Sequence, residues 1–188
     1  MQQRSAEKEI SDVESLKPEP SLQYGNTALM WAARKGFVTI VRLLLAHAAD
    51  PRRTDTTGNT ALHMSIRHHR DQCAHELIRS CSSSSSSHHL PLLSQLNDRR
   101  HTALNLAARH GRLAIVESIL TAAGDQPVPT AGLNTGDVDG ETPVMKAVLN
   151  GHGDVLAKLL KVGARVNGAN RVRLVCFVAL QLFASLLH

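Results

Sequence analysis

Four histidines and one cysteine are concentrated between residues 63 and 75, and side chains of these types can bind metal ions. They are His63, His68, His69, Cys73 and His75. Imidazole nitrogens and thiolates are the ligands that Zn²⁺ prefers in proteins. The segment has no Cys-x-x-Cys pair and no His-x-x-x-His pair, the spacings that typically hold two ligands together. We therefore expect no metal site here, and we expect Cys73 to be a buried core residue.

A second candidate for chemistry is the glycine-rich sequence Gly151-His152-Gly153, which is similar to part of a dinucleotide-binding loop. The third glycine of such a loop is missing, and the preceding residues have helical rather than strand periodicity. The chain also has no Gly-x-Ser-x-Gly motif and no phosphate-binding P-loop. These observations predict a protein that has no cofactor and is not an enzyme.

The lack of catalytic motifs contrasts with a clear internal repeat. Gly25-Asn26-Thr27 returns as Gly58-Asn59-Thr60, 33 residues later, and each tripeptide begins a similar apolar phrase. Related phrases begin at Thr102 and Thr142, at larger spacings. The chain is therefore predicted to be an array of four repeats, of which the second and third carry insertions.

Each repeat has the periodicity of two helices joined by a tight turn. In the first repeat, an apolar stripe at helical spacing precedes Gly36, which ends a helix, and a second stripe follows before Pro51. Neither helix can bury its stripe alone, so the repeats must stack against one another. The stripes consist of Leu29, Ala32 and Ala33, and of Ile40, Val41, Leu44 and Leu45.

The repeated motifs are Gly-x-Thr-Ala/Pro-Leu, Ala-Ala-x-x-Gly, Ile-Val-x-x-Leu-Leu and Gly-Ala-Asp, with a period of 33 residues. This pattern resembles the ankyrin repeat family over residues 23–167. The resemblance implies an all-α solenoid of helix-turn-helix repeats with short hairpin loops, here with two inserted loops. It also implies a protein that acts by binding other proteins, and it assigns His63 to structural hydrogen bonding.

Two residues depart from the family pattern where the other repeats have glycine. His69 stands where glycine ends the first helix of a repeat, and Arg100 stands at the glycine of the turn. A positive φ at His69 costs roughly 1 kcal/mol, and we expect the second repeat to be the least regular. The matching glycines are Gly36, Gly111 and Gly151 for His69, and Gly25, Gly58 and Gly140 for Arg100.

The pattern divides the chain into three parts. Residues 1–22 are polar and include a predicted capping helix, residues 23–167 form the repeat domain, and residues 168–188 are an apolar tail. The repeats span about 23–55, 56–97, 98–136 and 137–167. The serine-rich segment after Cys81 is predicted to be a surface loop, and the segment 126–136 is predicted to be a loop. The leucines between residues 90 and 96 offer an alternative, a short turn docked on the repeats.

The continuous apolar part of the tail, Leu174 to Leu187, has fourteen residues and is too short for an ordinary membrane span, which takes about 20 residues. Three interpretations stay open for it. It is a buried capping helix, a segment bound to a partner or to a membrane interface, or a truncated or non-native sequence in place of a lost fifth repeat.

Placing the repeats in register predicts which side chains contact a partner. Arg34, Arg67 and Arg109 occupy the same position in three successive repeats and are expected to form a basic column. With a net charge of +5, this column favours a partner with an acidic surface. Arginine is also favourable at a helix C-terminus whatever the partner. The predicted partner-binding residues are Tyr24, Asn26, Arg34, Lys35, Asn59, Arg67, His68, Arg99, His101, Arg109 and His110.

Composition narrows the class of partner and the compartment. Nucleic acid is not expected, because the basic column lacks neighbouring aromatic residues on which bases stack. Membrane contact through residues 171–188 is the alternative to a partner that is only a protein. Three widely spaced cysteines, and the absence of an apolar signal sequence in the first twenty residues, predict a cytoplasmic or nuclear protein.

Overall fold

The computed structural model describes residues 25–82, 90–123 and 132–166. The predicted N-terminal cap, the contact residue Tyr24, the serines from residue 83 onward, residues 126–131 and the apolar tail lie outside these ranges. The chain divides into two compact units, Met1–Leu77 and Ile78–His188. We call the described parts of these units the N-terminal module and the C-terminal module.

The described residues form helices and turns, and no strand is present within those three ranges. The prediction of an all-α, helix-turn-helix fold is therefore confirmed. The N-terminal module contains α1 (Ala28–Lys35), α2 (Val38–Ala46), α3 (Ala61–Arg67) and the start of α4 (Asp71–Ser82). The C-terminal module contains the end of α4, then α5 (Leu90–Ser94), α6 (Ala103–Arg109), α7 (Leu113–Ala123), α8 (Pro143–Leu149) and α9 (Gly153–Lys161).

The threonine of each repeated phrase caps the first helix of its repeat. The hydroxyls of Thr27, Thr60, Thr102 and Thr142 accept the backbone N–H three residues later, at 3.1–3.4 Å. Such a cap stabilises a helix by about 1 kcal/mol. In the second repeat His63 Nδ1 lies 2.8 Å from Thr60 Oγ1. The structural role that the resemblance gave to His63 is therefore confirmed.

The residues that replace glycine adopt the left-handed conformation that glycine favours. His69 has φ 58° and Arg100 has φ 57°, as their positions in the repeat predict. A third such residue, Ala48 with φ 60°, closes the first repeat where Gly163, with φ 85°, closes the fourth. The second repeat retains its helix pair, so its departures from the pattern are accommodated without loss of α3 or α4.

Apolar residues from neighbouring repeats form the core of each module. In the N-terminal module α1 packs on α2 and on α3, and in the C-terminal module α6 packs on α7 and α8. Helix α9 packs on both α7 and α8. The stacking that the two apolar stripes predict is thus present within each module. Fully buried side chains at these contacts include Met30, Leu62, Ile66, Leu104, Ile115, Ile119 and Leu159.

Part of the insertion in the second repeat is built into the core, which corrects the expectation of a surface loop for that part. Residues 90–94 form the short helix α5, and Leu92 and Leu93 are each 1% exposed. Helix α5 contacts α6 and α7. The alternative of a docked turn is therefore the one observed, because burying two leucines offsets the cost of ordering the segment.

Among the residues that the structure describes, no helix has both the length and the hydropathy that crossing a membrane requires.

Candidate functional site

Three turns between repeats share one hydrogen-bonded geometry. The first residues of the turns are Asp55, Asn97 and Asp137, and each side chain accepts the backbone N–H groups two and four residues later, at 2.8–3.1 Å. A backbone bond between the first and fifth residues closes each turn, at 2.9–3.2 Å. These anchoring residues are not among the predicted contact residues. An Asp or Asn three positions before the left-handed residue is the sequence signal that identifies them.

The turns hold two of the predicted contact residues away from solvent. Asn59 is 4% exposed, and its amide donates to Asp55 and Thr57. His101 is 6% exposed and lies 3.3 Å from Asp137. Their side chains therefore serve the turns and are not available to a partner. Of the other predicted residues in these loops, Arg99 is exposed and Asn26 is half-buried.

The C-terminal ends of α1 and α3 carry a group of basic side chains in the N-terminal module. Arg34, Lys35, Arg67 and Arg70 are exposed. We call these four residues the cationic cluster. Arg70 Nε donates to the backbone carbonyl of Arg34 at 3.3 Å, which links the second repeat to the first. Helices α1 and α3 pack side by side, so the cluster lies across two adjacent layers.

Trp31 lies beneath two members of this cluster. The guanidinium carbon of Arg34 is 5.4 Å from the centroid of the indole ring, and Lys35 Nζ is 5.8 Å from it. Cations at such distances over an aromatic face are held by about 0.5–1 kcal/mol at exposed sites. The half-buried tryptophan therefore orients two cations at the surface.

His68 is half-buried beside the cluster and responds to its charge. Burial lowers the pKa of His68, and the neighbouring charges of Arg34, Arg67 and Arg70 lower it further. The imidazole is consequently neutral near pH 7. The positive charge at this surface thus comes from the arginines and the lysine.

The equivalent helix end in the C-terminal module has a different arrangement. Arg109 is exposed and His110 is half-buried. His152 Nε2 donates to the backbone carbonyl of Arg109 at 3.1 Å, the same kind of link that Arg70 makes in the other module. In the fourth repeat the corresponding positions are Leu149, which is 45% exposed, and Asn150.

A buried network of charged side chains lies at the turn of the fourth repeat. Lys146 Nζ is 2.6 Å from Asp137 Oδ2 and also pairs with Glu141, while His101 approaches the same oxygen of Asp137. Lys146 and Asp137 are 7% and 5% exposed. His101 is the member of this group that the list of predicted partner-binding residues contains. A lysine in an otherwise apolar phrase, Pro-Val-Met-Lys-Ala, is the signal that could have identified the rest.

The buried network fixes the protonation of its members. Burial alone would raise the pKa of Asp137, but hydrogen bonds from Lys146 and from the Glu141 backbone outweigh it and lower that pKa. Burial opposes the charge of Lys146, yet hydrogen bonds to Asp137 and Glu141 raise its pKa. Burial and the charge of Lys146 lower the pKa of His101. Lysine and aspartate are therefore charged near neutral pH, and the histidine is neutral.

The histidine and cysteine residues considered for zinc do not come together as a ligand set. His63 bonds the Thr60 cap, and Cys73 is completely buried in α4. Within the described residues, no group of three or more His, Cys, Asp and Glu side chains is arranged to hold a metal ion.

Comparison with known proteins gives a consistent result. A family model described as ankyrin repeats (3 copies) matches residues 5–89 and 85–170. The chain is 31% identical to the ankyrin repeat and KH domain-containing protein mask-1 of Caenorhabditis elegans over 76% of its own length and 5% of that protein. It is 35% identical to NF-kappa-B inhibitor alpha of Mus musculus over 46% of its length and 26% of that protein.

A third similarity is more local. A palmitoyltransferase of Lachancea kluyveri is 58% identical over 40 residues, which are 21% of this chain and 5% of that enzyme. The chain thus spans about a quarter or less of the length of these relatives.

Proposed function

Because this chain belongs to the ankyrin repeat family, we propose that it is a non-enzymatic module that binds a partner protein through the basic ends of its first helices. Ankyrin repeats generally mediate protein–protein interaction. The proposed repeat domain comprises residues 23–167, and the proposed location is the cytoplasm or the nucleus. The similarity to a palmitoyltransferase does not extend the proposal to enzymatic activity, because it covers one repeat-sized segment.

The observation that carries this proposal is the exposure of Arg34, Arg67 and Arg109. Each is the exposed arginine in the last turn of the first helix of its repeat. Exposed cations at equivalent positions present positive charge to a partner, which favours an acidic surface. Because Asn59 and His101 are buried, the proposed contact surface omits their side chains.

A favourable helix dipole also explains a basic residue in a last turn, so the test must measure binding. We expect the triple variant Arg34→Glu/Arg67→Glu/Arg109→Glu to lose the proteins that the wild-type chain captures, quantified by mass spectrometry. The helical circular dichroism should not change, because all three side chains are exposed.

A matched control carries the same change of charge elsewhere. Arg53, Arg79 and Arg165 are also exposed, and their replacement by glutamate should leave the captured proteins unchanged. If the first variant retains its partners, or the control loses them equally, the basic helix ends are not the contact surface.

The alternative function, membrane association through the C-terminal tail, rests on the apolar sequence between Leu174 and Leu187. Deleting residues 171–188 and fractionating cells distinguishes the two. A membrane-bound pool that disappears with the tail supports the alternative, whereas an unchanged distribution supports a module that acts without membrane contact.

A further inference from the structure

The cationic cluster differs from the other basic side chains in how its charge is balanced. Among the residues that the structure describes, no carboxylate forms an ion pair with Arg34, Lys35 or Arg67. On α2 and α9, by contrast, basic side chains are paired: Arg42 pairs with Glu76 at 2.6 Å, and Lys158 pairs with Glu117 at 2.8 Å. The cluster therefore presents charge that its own module leaves uncompensated.

The members of the cluster are close enough to influence one another. Arg70 is hydrogen-bonded to the backbone of Arg34, and Arg34 and Lys35 share the face of Trp31. His68 lies beside these side chains: burial lowers its pKa, and the charges of Arg34, Arg67 and Arg70 lower it further. Like charges held together repel, and an anion that binds among them is stabilised by all of them at once.

A cavity adjoins the cluster and gives a bound chain room to enter. It has a volume of about 310 Å³ and opens between α1 and the start of α4, with Lys35, His69, Arg70 and Gln72 on its walls. The one carboxylate on its wall, Asp71, lies in the first turn of α4, where the helix dipole favours negative charge. The volume is sufficient for one or two acidic side chains.

We propose that the cationic cluster is a docking site for an acidic peptide segment of a partner protein, rich in Asp and Glu. Carboxylates of this segment pair with Arg34, Arg67 and Arg70, and an adjacent side chain enters the cavity beside Lys35. The proposal rests on the proposed function and narrows it, because it locates acidic recognition in the N-terminal module rather than equally in all three layers of the basic column.

Two other anionic partners fit the surface less well. Nucleic acid binding relies on open aromatic rings. The expectation that no aromatic residue neighbours the basic column is wrong at Trp31, but Arg34 and Lys35 already lie over its ring. Binding to an anionic membrane takes an apolar face as well as charge. In the described part of the N-terminal module, Leu43 is the large apolar side chain that is exposed, and it lies on α2 rather than beside the cluster.

The test uses the full chain and octaglutamate as the probe, titrated by calorimetry at low salt. The variant is Arg34→Gln/Lys35→Gln/Arg67→Gln, which leaves Arg70 and its structural hydrogen bond intact. The matched control is Arg53→Gln/Arg79→Gln/Lys161→Gln, which removes equal charge from exposed positions elsewhere. We expect the dissociation constant for octaglutamate to rise about tenfold in the variant and less than about twofold in the control.

Proton NMR of the histidine rings locates the bound peptide. Saturating octaglutamate should raise the pKa of His68, because nearby carboxylates stabilise its protonated form, and should leave that of buried His101 unchanged. Equal weakening in variant and control, or an unchanged His68, overturns the proposal. So does tighter binding to a DNA strand of equal charge, or to vesicles containing phosphatidylserine, than to the peptide.

The outcome is separable from that of the proposed function. If the dissociation constant for octaglutamate does not depend on the cationic cluster while the triple glutamate variant still loses its cellular partners, the acidic docking site is wrong and the interaction module stands. If octaglutamate binds the cluster but the cellular partners are unaffected, the docking chemistry stands and the proposed contact surface for those partners is wrong.

Discussion

In the first repeat the position four residues after the capping threonine holds Trp31, and in the fourth repeat it holds Lys146. Trp31 is half-buried and supports two exposed cations on its ring. Lys146 is buried, and Asp137 and Glu141 neutralise it. The backbone pattern is thus shared, but the cations beside Trp31 are exposed, whereas the cation at Lys146 is buried and paired. Lys146 is neutralised because the adjacent turn supplies Asp137 and Glu141.

The largest effect is expected from breaking the buried network. Asp137→Asn removes the negative charge beside Lys146 and weakens the acceptor for two backbone N–H groups of the turn. Removing one partner from a buried charge costs about 3 kcal/mol, the lower end of the usual range, because Glu141 still pairs with Lys146. We expect the free energy of unfolding, measured with urea, to fall by that amount. Asp139→Asn, at the exposed tip of the same turn, should change it by less than about 0.5 kcal/mol.

A double variant sharpens this comparison. Methionine occupies the position of Lys146 in the second repeat, as Met64. Asp137→Asn/Lys146→Met should therefore be more stable than Asp137→Asn alone, because it removes a buried charge that has lost the more buried of its two partners. If the double variant is the less stable of the two, Lys146 contributes through packing rather than through its charge.

Acid should weaken the C-terminal module through His101. The folded-state pKa of His101 is lowered from 6.5, so the unfolded chain binds protons more readily in this range and stability is lost as the pH falls below about 6.5. We expect the free energy of unfolding to decrease between about pH 7.5 and 5.5. His101→Gln should reduce the size of that decrease.

His68 provides the matched histidine in the N-terminal module. Its pKa is also lowered from 6.5, so the sign of its contribution is the same. Because His68 is half-buried and His101 is buried, His68→Gln should flatten the pH dependence less than His101→Gln. A larger effect at His68 would mean that the exposed cations, rather than burial, dominate histidine protonation in this protein.

Glycine at the three left-handed positions should stabilise both modules slightly. Ala48→Gly and His69→Gly relieve backbone strain in the N-terminal module, and Arg100→Gly does so in the C-terminal module. Each should raise the free energy of unfolding by about 0.5–1 kcal/mol, after the entropy that glycine adds to the unfolded chain. Ala114→Gly, within the regular helix α7, is the control and should lower stability by a similar amount.

The smallest effect is expected at an ion pair on the surface. Lys158→Gln removes the contact with Glu117, and both side chains are substantially exposed. Such pairs contribute about 0.5 kcal/mol or less, so thermal unfolding should change little, and less still at high salt. A loss approaching that of Asp137→Asn would contradict the distinction between buried and exposed charge.

Much of the fold was predictable from local sequence. The threonine caps, the helix pairs and the left-handed residues His69 and Arg100 depend on contacts within a few positions of the chain, and the repeat shows each of them several times. The burial of Leu92 and Leu93 was less accessible. It depends on packing against α6 and α7, which a short leucine-rich insertion does not specify alone.

The candidate site was predictable only in part. Aligning the repeats with one another identified Arg34, Arg67 and Arg109 at exposed helix ends, since helical periodicity determines exposure there. The same alignment also selected Asn59 and His101, which are buried. Asn59 is hydrogen-bonded to side chains of its turn, and His101 lies against the buried Asp137. The charge of Lys146 is balanced by residues of the preceding turn, five and nine positions away. Hydrophobic periodicity does not contain that information.

The links that Arg70 and His152 make to the preceding repeat give the array a direction. A Cβ atom on Gly36 would lie 2.8 Å from Arg70, and one on Gly111 would lie 2.6 Å from His152. At Gly151, no described atom lies within 4 Å of the same point. At Gly36 and Gly111, therefore, glycine is favoured by the space left beside the next repeat of the same module as well as by backbone angle. In each module the later repeat completes the helix end of the earlier one, so an engineered exchange of repeats within a module must keep Arg70 after Gly36 or His152 after Gly111.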